Sequence, residues 1–209
     1  MYFTILTSKN EMKKIWFVLL MIGISGCTHN QNKIDNSISM DIYKHTHSSN
    51  ELEKYKACIL LGELRLNAEM LDKIKKDANE TNDICRHYLL AKRSGEFLDV
   101  SRYIEIFPSG KQQKPIWNTH FDAGFPVSFL SPYFVLMADQ ARKNDQALDK
   151  LISGIPHADS SFGTVLIDTL ADIYKRLPER IYERLKAKKT PEKDIELIIS
   201  ISDNSMKAE

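Results

Sequence analysis

Glycine and proline are both scarce, 8 and 7 among 209 residues. The turn residues that a β-sandwich or barrel needs at short intervals are therefore missing. An excess of charge is missing too: 29 Lys and Arg stand against 28 Asp and Glu, too even a balance to steer nucleic acid. No Cys-x-x-Cys, no Gly-x-Ser-x-Gly elbow and no glycine-rich phosphate loop occurs, and Pro108-Ser109-Gly110-Lys111 reads as a turn. The apolar core Ile15–Ile22 is far shorter than the ~20 residues that cross a bilayer. These absences exclude a β fold, a nucleic-acid surface and the commonest catalytic motifs.

What is present begins at residues 12–27. Lys13 and Lys14 form a short basic region, Ile15–Ile22 an apolar core, and Ile24-Ser25-Gly26 leads to Cys27. That is the architecture of a secretory signal. Glu11 sits awkwardly before so compact a basic region, which makes Met12 the expected start. The ending Ile24-Ser25-Gly26-Cys27 resembles the lipobox of bacterial lipoproteins. The resemblance implies cleavage before Cys27, diacylation of its thiol and acylation of the new amino group. Two or more acyl chains give stable membrane anchoring. Thr28 stands where an Asp would signal inner-membrane retention, so the resemblance implies an outer-membrane protein, expected to face the periplasm.

The expected organisation is a signal over 1–26, a lipidated start and polar tether over 27–49, one domain over 50–202 and a polar tail over 203–209. Loss of residues 1–26 removes Lys9, Lys13, Lys14 and Glu11, leaving 26 basic and 27 acidic residues, a net charge near −1. His45-x-His47 falls in the tether and reads as solvated. Cys58 and Cys85 remain beside Cys27, and an even pair in an oxidising compartment is expected to be bridged. The alternative is two buried thiols acting as small hydrophobes.

From Ser49 the pattern is helical. Ser49 or Asn50 caps; Leu52, Tyr55, Ile59, Leu66, Met70 and Ile74 form an apolar stripe, which Gly62 can divide into two helices. Asn82 opens a helix to about Arg93, and Phe97–Phe107 supplies the next, stopped by Pro108-Ser109-Gly110. Residues 111–125 read as irregular and aromatic-rich. Pro126 opens a helix to about Lys143 that Pro132 either kinks or restarts. Further helices are expected over 145–152, from Ser160 or Ser161, from Pro178 to about Lys188, and from Thr190-Pro191 onward. The fold class is all-α.

His120-Phe121-Asp122-Ala123-Gly124-Phe125 and His157-Ala158-Asp159-Ser160-Ser161-Phe162 share His-x-Asp-x-x-Phe, 37 residues apart. Each copy is expected to precede a longer helix and then a shorter one. A period of this size suits stacked helical hairpins, so a short solenoid-like array stands beside an irregular bundle. The same residues offer the sharpest enzymatic reading. His120, Asp122, His157 and Asp159 can converge on a divalent metal and activate water, which makes a metal-dependent hydrolase of envelope material the alternative function. Against this, Asp122 and Asp159 suit backbone capping, and the histidines suit packing. The basic stretch Arg176–Lys193 also carries acids and reads as a solvated face.

Among the aromatics, Trp117, Phe121 and Phe125 are the binding candidates, with Trp117 and Phe121 expected to be partly exposed. The leading expectation is a lipid-anchored, non-enzymatic module that binds another protein and needs no cofactor. It is either of immunity type, neutralising a toxin in the periplasm, or accessory to an envelope assembly.

Overall fold

The computed structural model describes residues 28–124 and 131–207. The expected signal segment with Cys27, and Phe125, lie outside them. The chain divides into two compact units, Met1–Ile38 and Ser39–Glu209, and the second holds all that follows except residues 28–38 of the first helix.

Eleven α-helices and no strand occur among the described residues: α1 (Thr28–His45), α2 (Glu51–Glu63), α3 (Ala68–Glu80), α4 (Ile84–Arg93), α5 (Phe97–Ile106), α6 (Lys114–Asp122), α7 (Pro132–Ala141), α8 (Asp145–Gly154), α9 (Ser160–Arg176), α10 (Pro178–Ala187) and α11 (Glu192–Lys207). Short 3-10 turns at Gly110–Gln113 and Ile155–His157 complete the order. The all-α expectation holds.

Local chemistry explains most boundaries. Asn50 Oδ1 accepts from the amides of Leu52 and Glu53, Asn67 Oδ1 from Met70, Asp83 Oδ1 from Cys85, Asn144 Oδ1 from Ala147 and Asp159 Oδ1 from Phe162. Each satisfies a donor that the first turn leaves open. Pro132 and Pro178 occupy the first turns of α7 and α10, where a missing N–H costs nothing. The apolar stripe of residues 52–74 does break in two, after Leu64. Gly62 lies in the last turn of α2 because the Tyr88 ring passes over it: a Cβ there would stand 3.0 Å from Tyr88 Cε1.

Four expectations are corrected. Residues 39–47 are not tether, because Ser39, Ile42 and Thr46 are buried against the domain. Residues 111–125 are not irregular throughout, since α6 occupies Lys114–Asp122. The helix α11 runs to Lys207, past the expected end of the domain at 202. The two His-x-Asp-x-x-Phe copies are not equivalent: His120 lies inside α6 and His157 in a 3-10 turn, and the two helices following the first copy are equal in length.

Consecutive helices pair as α4 with α5 and α7 with α8, while the most extensive pairing joins α9 to α11. Cys58 on α2 and Cys85 on α4 stand at disulfide distance, with Cα atoms 5.8 Å apart. The core is organised by a closed circuit of nine rings. Tyr55, Tyr133, Tyr88, Tyr103, Phe107, Phe134, Phe162, Trp117 and His120 follow one another at centroid separations of 4.6–6.3 Å, and His120 returns to Tyr55 at 6.0 Å. Edge-to-face and offset contacts of this kind add to the area buried. Rings come from α2, α4, α5, α6, α7 and α9, so the circuit ties six of the eleven helices together.

Candidate functional site

Four of the residues singled out from sequence, Trp117, His120, Phe121 and Asp122, lie on α6. Inside α6, Trp117 is only 2% exposed and stacks on Phe162, which corrects the expectation that it reaches solvent. His120, on the same inner face, is equally buried. Phe121 faces the opposite way and is 52% exposed, as expected. One helix therefore carries both an anchoring face and a displayed aromatic side chain.

The anchoring face is polar as well as aromatic. The Tyr55 hydroxyl lies 2.8 Å from His120 Nδ1 and 2.7 Å from Ser131 Oγ, and all three groups are buried. Burial pushes the Tyr55 phenol far above its ordinary pKa, so it stays protonated and keeps its hydrogen for one of these partners. Nearby, the Tyr103 hydroxyl donates to the Tyr133 carbonyl at 2.6 Å. Burial raises the phenols of Tyr88, Tyr103 and Tyr133 in the same way. The network is buried and joins α2, α6 and the start of α7.

Outside this network lies a cleft of about 270 Å³, lined by Tyr55 and Tyr133, by Ile84 and Cys85 of α4, and by Pro115, Ile116 and Thr119 of α6. At its rim Lys54 Nζ lies 2.9 Å from Glu51 Oε1 and 3.3 Å from Asp83 Oδ2. Burial opposes the Lys54 charge, but these two carboxylates outweigh it and raise the lysine pKa.

The proposed metal ligands are not brought together. His120 Nδ1 is occupied by Tyr55. Asp159 caps α9 and pairs with Lys114 at 3.0 Å, while Asp122 and His157 are exposed. Among the described residues no group of three or more His, Cys, Asp or Glu is placed to hold a metal ion. The capping role of Asp159 is the local alternative that the sequence already allowed.

Three residues of the basic stretch pair with acids of α8. Arg184 makes a two-pronged contact with Asp149, 2.9 and 2.6 Å, and Arg180 reaches Asp145 at 2.6 Å. Lys188 joins Asp149 at 2.8 Å. These residues bind α10 to α8.

Sequence reasoning missed the most prominent apolar surface. Phe97 and Leu98, in the first turn of α5, are 80% and 75% exposed. Phe97 stands seven residues before the buried Ile104, so helical period assigns it to the core stripe. Only the tertiary arrangement leaves it in water.

The chain matches no protein-family model, no curated protein and no solved structure.

Proposed function

We propose that the chain is a lipid-anchored envelope protein whose domain binds another protein without catalysing a reaction. The anchor is assigned to Cys27 by the lipobox-like Ile24-Ser25-Gly26-Cys27, and the outer membrane by Thr28 in place of the retention Asp. The observation that carries the binding reading is Phe121, a large apolar side chain held half in water. Its helix is fixed from behind by Trp117 on Phe162 and His120 on Tyr55. A rigidly presented aromatic loses little conformational freedom on association, which favours its use as a hot spot. An immunity-type role against a periplasmic toxin and an accessory role in an envelope assembly both suit this address, and the partner's identity separates them.

The test is crosslinking in the producing cell, followed by purification of the lipidated chain and of its Phe121→Ser variant. A single stoichiometric partner, lost in the variant, is the expected result. A partner retained by the variant would remove Phe121 from the interface. Failure of labelled palmitate to enter the protein, or its entry into Cys27→Ser, would refute the anchor.

A further inference from the structure

We propose that Phe97 and Leu98 form a membrane-contact wedge, which seats the domain on the phospholipid bilayer that holds its anchor. This inference rests on the lipid-anchor reading of Cys27.

Three observations carry it. Phe97 and Leu98 are adjacent and are the two most exposed of the large apolar side chains among the described residues. Phe and Leu are side chains that enter the headgroup boundary, where burial of about 5–10 Å is typical.

The second observation is location. The folded unit begins at Ser39. Next to it, Met40 Sδ lies 3.9 Å from Lys73 Nζ of α3. Two residues along the same helix, Lys75 Nζ lies 3.9 Å from Oε2 of Glu96, the neighbour of Phe97. Two lysine side chains and two residues of helix bound the Met40–Glu96 separation at roughly 25 Å. The wedge therefore lies within roughly 25 Å of the residues where the second unit begins.

The third is reach. Eleven residues, 28–38, separate Cys27 from Ser39, a span of at most about 40 Å even fully extended. An anchored domain on so short a connection meets the bilayer at high effective concentration. A contact too weak to recruit a free protein is then sufficient to orient a tethered one. Seating of this kind would leave faces away from the wedge, rather than the wedge itself, for a protein partner.

The experiment uses the lipidated chain carrying Phe97→Trp, reconstituted in vesicles of phosphatidylethanolamine and phosphatidylglycerol with brominated acyl chains. Bromine quenches indole only at short range, and Trp117 of the unsubstituted chain supplies the background because it is buried. The wedge predicts about a twofold loss of the introduced indole's emission relative to unbrominated vesicles, as expected for a ring at interfacial depth. Quenching no greater than that of the unsubstituted chain overturns the wedge, provided palmitate labelling confirms the anchor. Absence of palmitate overturns the anchor reading and the wedge with it. Unquenched indole together with a protein crosslinked through position 97 assigns the surface to a protein instead, and also overturns the proposal.

Discussion

The Tyr55 hydroxyl lies 2.8 Å from His120 Nδ1, joining α2 to α6 across 65 residues of sequence. The same oxygen reaches Ser131 Oγ at 2.7 Å. Tyr55→Phe removes one oxygen and leaves two buried polar groups without this partner. The expected cost is about 1–3 kcal/mol, which in a chain of this size corresponds to roughly 2–4 °C of Tm per kcal/mol. Thermal unfolding of the purified domain followed by circular dichroism measures it. An unchanged Tm would show that the network contributes nothing.

Cys58 and Cys85 are 27 residues apart in sequence and both are buried. Closing that loop is expected to stabilise the domain by about 3–4 kcal/mol in the chain-entropy account. Denaturant midpoints with and without reductant should differ accordingly, and the double variant Cys58→Ala with Cys85→Ala should be insensitive to reductant. Equal thiol counts under reducing and non-reducing denaturation would contradict a bridge.

Gly62→Ala places a methyl group 3.0 Å from Tyr88 Cε1 and 3.1 Å from its hydroxyl. Tyr88 is buried in the ring circuit and has little room to retreat, so overpacking of about 1–3 kcal/mol is expected. This loss should exceed any gain in helix propensity from alanine. Urea unfolding of the variant gives the sign directly.

Asp77 fastens the end of α1. It accepts from Tyr43 at 2.5 Å and lies 2.7 Å from His47 Nε2 and 3.8 Å from Arg86 Nε, while Arg86 also donates to the Thr46 carbonyl. Burial opposes its charge, but hydrogen bonds from Tyr43 and His47 and the charges of His47 and Arg86 outweigh it and hold the carboxyl below its usual range. A depressed carboxylate contributes stability that is complete above its unfolded value, near pH 4, and is lost as pH falls through the folded value. Stability measured from pH 7 to pH 2 should therefore decline more steeply below about pH 4 in the native chain than in Asp77→Asn. The variant should already be less stable at pH 7, with faster amide exchange over residues 39–47. Parallel curves would deny Asp77 this role.

The starts of α2, α7 and α10 were legible because caps are local. Asn50, Pro132 and Pro178 announce themselves within four residues, whatever lies elsewhere. The end of α1 was not legible, because hydrogen bonds to Asp77 and Arg86 hold it and apolar period scarcely marks it; over residues 37–45 Ile42 is the one large buried apolar residue. Trp117 and Phe121 looked alike in sequence, yet Phe162, 45 residues beyond Trp117, decides which of them is core. The His-x-Asp pattern suggested a metal site for the same reason that it misled. Two similar hexapeptides carry no information about whether one lies in a helix and the other in a turn. Phe97 was hidden by a periodicity that assigns residues to a stripe without showing where the neighbouring helix ends.

The most direct measurement is stoichiometric capture of the partner in the cell that makes the protein. Crosslinked complexes of the native chain would be compared with those of Phe121→Ser and of His120→Ala with His157→Ala. The account predicts one stoichiometric protein partner, lost with Phe121→Ser and kept by the double histidine variant, with less than a tenth of an equivalent of bound metal. No partner in any sample, together with stoichiometric metal that disappears in the histidine variant, would contradict it and move the metal-dependent hydrolase to first place.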